Sequence, residues 1–337
     1  MLDFMWYDAV MAGVNPFPVG VPIRPEARQI GRGPAIDGLA RQVVEHRQHT
    51  LLIEERRVGK TSMAWAVLDR VRAADRGWAI EVNLKRGPIT SSADLAQQLA
   101  EQARAAGVGI ESRGEQVAER LRDGARIGGA PIVKALGKLL GVEELAEVAD
   151  VADAIDQALA TDDEGAGVDL RSVLHALVAA SIAADAVLVI FVDEAQRLAT
   201  DWHDEDDGLY AQEALAEVME DHDGHAVLLL AGSERGALEK LLAEGQPLHH
   251  DGMAFDVPAI AREDWQHALP GRFAEIGLDV EPARIDQILE GTGGHPAQTM
   301  RVCAHIRELA DGQPFEITDV LVARAIKTAS KHPSWSA

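Results

Sequence analysis

The chain is short of the residues that several common protein classes need. It has one cysteine, Cys303, among 337 residues. No internal disulfide can form, and a single thiol suits a reducing cytoplasm. Cys303 lies in a helical apolar stripe, where a buried thiol is expected. Basic residues are scarce: 32 Lys and Arg stand against 55 Asp and Glu, a formal net charge of −23. Such a surface repels nucleic-acid phosphate and anionic membrane unless basic residues cluster locally. No apolar run approaches the roughly 20 residues needed to span a bilayer. The segment PIVKALGKLL (131–140) reads as a helix packed within the protein. The N-terminus, Met1-Leu2-Asp3-Phe4, lacks the basic region and long apolar core of a secretory signal. The expectation is a cytoplasmic protein without a membrane span.

A hydrophobic content of 47% is enough for one large α/β domain and a smaller one. Apolar or alternating runs predict strands at His49–Ile53, Trp78–Leu84, Val187–Val192, Ala226–Leu230 and Ala254–Val257. Helical spacing predicts helices at Ile36–Val44, Ser62–Val71, Leu170–Ile182 and Tyr210–Met219. Ser91-x-x-Asp94 reads as a capping box, and Leu145 to Leu159 as an amphipathic helix. DWHDEDDG (201–208) reads as a solvated acidic loop. Beyond Pro258 the pattern is helical, punctuated at Pro270-Gly271, Pro282, Gly293-Gly294 and Gly312. Strands separated by helices predict a parallel sheet with helices on both faces. The proline-rich start predicts an extended leader over 1–30. An α/β core follows over 31–258 with a helical insertion at about 88–183, and then a helical lid over 259–337.

Two segments carry chemistry. Arg56-Arg57-Val58-Gly59-Lys60-Thr61-Ser62 lies between a strand and a helix. Gly59 lets backbone N–H groups close on phosphate oxygens, Lys60 reaches the outer phosphates, and Thr61 offers a hydroxyl to Mg²⁺. Far along the chain, a fully apolar strand runs into Asp193-Glu194. Those carboxylates suit a nucleotide-bound Mg²⁺ and an attacking water. The histidine pairs at His222/His225 and His249/His250 have neither cysteine companions nor helical ligand spacing, so no further metal is expected.

Together these residues resemble the AAA+ branch of the P-loop ATPases, and within it the archaeal-type ATPases of the STAND class. The resemblance rests on Asn15-Pro16-Phe17-Pro18, Ile30-Gly31-Arg32, the Arg-Arg Walker A at Arg56–Ser62, the Walker B at Phe191–Gln196, Leu230-Ala231-Gly232-Ser233 and Thr292-Gly293-Gly294-His295-Pro296. It implies a five-stranded parallel sheet of order 5-1-4-3-2 with a C-terminal helical lid. It implies ATP and Mg²⁺ as cofactors. Gly31, Arg32, Arg57, Val58, Gly59, Lys60, Thr61, Ser62, His295 and Pro296 would then contact nucleotide, with Arg32 beside the adenine and His295-Pro296 closing from the lid. Thr61 and Asp193 would hold the metal. Glu194 would activate water, and Ser233 would act as a sensor.

Two departures bear on activity. Glu54 stands where the family pattern has glycine, which adds a carboxylate near phosphate. No arginine lies between Leu248 and Ile260, where relatives often carry one. An arginine finger is worth about 10³–10⁵ in rate, so slow turnover is expected. The resulting reading is a slow Mg-dependent ATPase that switches a partner protein, with the 88–183 insertion as candidate partner surface and self-association left open. A DNA-handling loader or transposition helper and a non-hydrolysing ATP-gated scaffold are the alternatives.

Overall fold

A computed structural model describes residues 16–24, 28–53, 57–74, 76–85, 89–106, 169–200, 202, 204–220, 224–249, 253–310, 316–332 and 335. Glu54, Arg56, the 131–140 and 145–159 segments and His222 and His250 lie outside the described residues. Five strands build one all-parallel sheet: β1 (Thr50–Ile53), β2 (Gly77–Asn83), β3 (Val187–Asp193), β4 (Ala226–Gly232) and β5 (Met253–Asp256). Their spatial order is β2-β3-β4-β1-β5, the order the resemblance implies. β3 and β4 are buried along their whole length, which is why they read as unbroken apolar runs rather than as alternation. β5 is the exposed edge and is correspondingly short.

Helices α1 (Gly33–Val44), α2 (Lys60–Ala73), α3 (Ser92–Ala105), α4 (Leu170–Ala183), α5 (Glu205–Met219) and α6 (Arg235–Leu241) punctuate the strands. A short 3₁₀ turn, Ala195–Ala199, follows β3. After β5 come α7 (Arg262–Ala274), α8 (Pro282–Thr292), α9 (Pro296–Ala310) and α10 (Asp319–Ala329).

The capping box is present. The Ser91 hydroxyl accepts from the Asp94 N–H at 3.1 Å, and the Asp94 carboxylate accepts from the Ser91 N–H at 3.0 Å. Two expectations are corrected. The acidic loop ends at Asp204, whose carboxylate caps the Asp206 N–H at 2.9 Å. Glu205, Asp206 and Asp207 already form the first turn of α5, where the helix dipole favours negative charge. Pro270-Gly271 does not interrupt the chain but lies inside α7. Trp265, Leu269 and Phe273, all buried on one face of α7, hold the helix across the bond that Pro270 cannot donate. The helix after the phosphate loop also starts earlier than its apolar pattern, at Lys60.

The chain divides into two compact units. One comprises residues 36–55 and 63–256 and contains the sheet. Its core joins Leu188, Ile190 and Val192 of β3 to Leu95 and Leu99 of α3, Leu174 and Leu177 of α4, and Leu215 and Val218 of α5. Burying each such leucine stabilises the fold by about 1.5–3 kcal/mol. Both ends of the 88–183 segment are therefore core helices. The other unit comprises 1–35, 56–62 and 257–337. Its core packs Phe17 of the leader with Trp265 and Phe273 of α7, Ile288 of α8, Val302, Cys303 and Ile306 of α9, and Val322 of α10. The Phe17 and Phe273 ring centroids are 4.6 Å apart. Cys303 is fully buried as expected, and burial pushes its thiol well above the ordinary range.

Candidate functional site

Because every strand is parallel, all carboxyl ends lie at one edge of the sheet, the edge where open α/β sheets bind ligands. Asp193 of β3 is in register with Ala231 of β4, which is in register with Leu52 of β1. Adjacent strands sit about 4.8 Å apart, so the row from Asp193 to Leu52 spans about 10 Å. β1 thus ends at the same edge of the sheet at which β3 presents its carboxylates.

In the sheet unit, Asp193 is 7% exposed. Its Oδ2 accepts from Asn83 Nδ2 at 2.8 Å, and its Oδ1 accepts from the Glu194 N–H at 3.1 Å. Asn83 is held in turn, its Oδ1 accepting from the Lys85 N–H at 2.9 Å. The strand ends abruptly because Glu194 adopts a left-handed conformation, φ 58° and ψ 40°. For a non-glycine residue that costs roughly 1–2 kcal/mol, and such strain concentrates where a side chain must be aimed. The Glu194 carboxylate is 18% exposed, and Lys85 Nζ lies 3.9 Å from its Oε1. Its Oε2 accepts from the Ser233 hydroxyl at 2.7 Å and from Gln196 Nε2 at 2.6 Å. Gln196 is buried beside Gly232, where an added Cβ would lie 2.7 Å from its amide oxygen. Gly232 therefore gives Gln196 the room to reach Glu194.

In the helical unit, the phosphate loop is fixed by the leader. Arg57 and Gly59 have φ 66° and 98°, which folds the loop back before α2. Arg32 Nη1 donates to the Val58 carbonyl at 2.7 Å. The Ser62 hydroxyl accepts from the Ile23 N–H at 2.9 Å, and the Ser62 carbonyl accepts from Gln29 Nε2 at 2.5 Å. Lys60 is the first residue of α2 and is 7% exposed; Thr61 follows it. The lid turn uses Gly293 and Gly294 at φ 59° and 70° to end α8, and Pro296 opens α9. His295 bridges the turn: its N–H donates to the Thr292 carbonyl at 3.1 Å, and its carbonyl accepts from the Thr299 N–H at 2.9 Å.

The candidate residues thus fall into two groups. Gly31, Arg32, Arg57, Val58, Gly59, Lys60, Thr61, Ser62, His295 and Pro296 belong to the helical unit, and Asp193, Glu194 and Ser233 to the sheet unit. The motifs alone did not single out Asn83, Lys85 or Gln196 as site residues, nor Arg301 and His332. Burial and the nearby Arg57 charge hold the Arg301 guanidinium below its ordinary value. Desolvation, then Arg301 and Arg57, do the same to the His332 imidazole. Arg301 of α9 thus adds a second cation near Arg57, and desolvation and the two cations together hold the His332 imidazole in its neutral form. No short motif announces this, because the three positions meet only through tertiary packing.

Each unit by itself carries donors of the kind a Mg²⁺–nucleotide takes. The Asp193 carboxylate in the sheet unit and the Thr61 hydroxyl in the helical unit are both oxygen donors that suit that hard cation. The N–H groups at the start of α2 beside a positive-φ glycine suit phosphate.

No protein-family model and no curated protein matches the sequence. Among solved structures, the chain is similar to a Walker-type ATPase of Pyrococcus abyssi, at 18% identity, covering 94% of this chain and 75% of that one, with a TM-score of 0.60. It is similar to the ORC2 protein of Aeropyrum pernix, solved as ADPNP–ADP complexes, at 17% identity over 94% and 72%, TM-score 0.57. It is also similar to the Aeropyrum pernix ORC1 protein, solved in complex with DNA, at 14% identity over 96% and 69%, TM-score 0.51. At these identities the likeness is one of fold, and the fold is that of the AAA+ P-loop ATPases.

Proposed function

We propose that the protein binds Mg·ATP and hydrolyses it slowly, as a nucleotide-driven switch on a partner protein. The observation that carries this reading is the strained Glu194, aimed from the end of β3 and held by Ser233 and Gln196. A structural acid at a strand end needs neither the left-handed backbone nor two dedicated donors.

When bound, Mg²⁺ would screen and polarise the phosphates. The residues of the chain do the rest. Lys60 and the N–H groups around Gly59 bind the outer phosphates. Thr61 and Asp193 hold the cation, and Asn83 keeps the Asp193 carboxylate in one orientation. Glu194 orients the attacking water through Oε1 while Ser233 and Gln196 fix Oε2. Arg57 supplies positive charge toward the phosphates, with the Arg301 guanidinium close enough to feel it. The absence of an arginine between Leu248 and Ile260 supports slow rather than rapid turnover. The 88–183 segment is the proposed partner-binding part of the chain; its flanking helices α3 and α4 also contribute side chains to the core.

A second reading is favoured by the same cluster. The Glu194 Oε2 already accepts two hydrogen bonds and Lys85 lies near its Oε1, so fewer of its lone pairs face a water. A nucleotide-gated scaffold without turnover would look alike. DNA handling draws support only from the ORC1 neighbour, and the net charge of −23 opposes it. Calorimetry with Mg·ATP and single-turnover phosphate release separate these readings. Heat of binding with release that Glu194→Gln removes supports the ATPase. Binding with equal release from both proteins leaves the scaffold, and no binding heat ends both.

A further inference from the structure

We propose that Arg32 is a positioning residue that pins the phosphate loop to the hinge of the helical lid. This rests on the nucleotide-binding reading and deepens it. The guanidinium is committed in two directions. Nη1 donates to the Val58 carbonyl in the phosphate loop, and Nε donates to the Pro258 carbonyl just before α7, each at 2.7 Å. The two carbonyls are 200 residues apart in sequence (258 − 58 = 200), and one planar cation holds both.

The surroundings fit this role. Gly31 and Arg32 are consecutive left-handed residues, φ 63° and 67°, which turns the side chain back across the loop. Gly31 must be glycine for a second reason: a Cβ there would lie 2.9 Å from the Asp264 Cγ on α7. Gly59 leaves open the space that Arg32 fills, since a Cβ on Gly59 would lie 2.9 Å from Nη1. The neighbouring leader residues follow the same two-sided pattern. Gln29 and Ile23 hold Ser62, while Arg28 pairs with Glu275 at the end of α7 and gives its carbonyl to Arg272. Arg32 is the residue whose own side chain bonds to both the loop and the hinge. Any displacement of Val58 on nucleotide binding is therefore carried to Pro258 without passing through the sheet. The coupling is reciprocal: a lid position that strains the pin weakens phosphate binding by the same factor.

Lysine separates a pin from a charge. An ammonium keeps the positive charge but not the fixed fork that serves two acceptors in different directions. The test is hydrogen exchange of the nucleotide-free protein, comparing wild type with Arg32→Ala and Arg32→Lys, followed by Mg·ATP titration. Both variants are expected to speed exchange about tenfold in residues 57–62 and in 259–265 together, the loss of a hydrogen bond to a charged group. Protection in β3 and β4 should be unchanged, and Mg·ATP affinity should fall about tenfold in both variants. Arg32→Lys behaving as wild type, faster exchange in only one segment, or loss of protection throughout β3 and β4 would each overturn the pin. If wild type itself binds no Mg·ATP, the functional reading falls while the exchange comparison still decides the role of Arg32.

Discussion

The Ser233 hydroxyl donates to the Glu194 carboxylate at 2.7 Å, tying the residue past the end of β4 to the residue past the end of β3. These strands are adjacent, with Asp193 in register with Ala231, so the bond closes the shortest path between two strand ends. The hydroxyl that the resemblance casts as a sensor is thus bonded to the acid. Ser233→Ala should leave Mg·ATP affinity within about twofold and lower phosphate release at least about tenfold, since a hydrogen bond to a charged group contributes about 1.5–3 kcal/mol. Calorimetry and single-turnover release measure the two quantities on the same preparation. Unchanged release would remove Ser233 from the machinery.

Gly59 is constrained twice over. Its φ of 98° disfavours any side chain, and Arg32 Nη1 already stands 2.9 Å from where a Cβ would sit. Gly59→Ala should cost roughly 1–2 kcal/mol from backbone strain alone, with Mg·ATP binding lost beyond that by displacement of the loop. Gly236, by contrast, has open space around its added Cβ and an ordinary φ. Gly236→Ala should be neutral or slightly stabilising in a chemical denaturation series.

The sheet was legible because its strands follow simple rules. Val187–Val192 is apolar throughout since β3 is covered on both faces, and the Asp-Glu pair marks where that cover ends. The capping box at Ser91 and the glycine turn at Gly293 are local, so four or five residues suffice to read them. The hydrogen bonds of Arg32 are not legible in the sequence. Its acceptors at Val58 and Pro258 are distant in sequence, and carbonyl acceptors leave no mark on residue type. The role of Gln196 is not legible in the Walker B stretch, because its partner is set by a left-handed backbone at Glu194 that a glutamate does not advertise. The start of α5 was missed for another reason: three acids in a row look solvated, yet they are also what a helix N-terminus favours.

The capping box predicts an acid-sensitive step in stability. Burial raises the Asp94 carboxyl, but hydrogen bonds from Thr90 and Ser91 outweigh it and hold it below its ordinary value of 3.8. A group depressed in the folded state contributes its stability above the unfolded value and loses it as pH falls through the folded one. Asp94→Asn should therefore be less stable than wild type at neutral pH, by a few tenths to about 1 kcal/mol for this half-buried cap. The gap should close below about pH 3–4 as wild type protonates. Thermal melts across that range test it. A gap that stays constant down to the acid limit would mean the carboxylate charge is irrelevant to the cap.

Arg272 places a cation inside the helical unit, 6% exposed, between the leader and α9. Its Nη1 donates to the Pro16 carbonyl at 2.6 Å and Nη2 donates to the Arg28 carbonyl. Burial, and then the nearby Arg28 charge, pull its ordinarily very high pKa down, while Glu275 opposes them. Arg272→Met matches the apolar stem but leaves two carbonyls without that donor, each at a cost of about 1–3 kcal/mol. Arg272→Lys should recover only part of the loss, since one ammonium cannot reproduce the planar fork. The leader should loosen first, because Phe17 and Arg28 are held to α7 by the same few contacts. Limited proteolysis should then cut near residues 16–30 in both variants while Cys303, buried within the wider helical core although Arg272 lies near it, stays protected from thiol reagents. Simultaneous leader cleavage and Cys303 labelling would instead mean that Arg272 supports the entire helical unit.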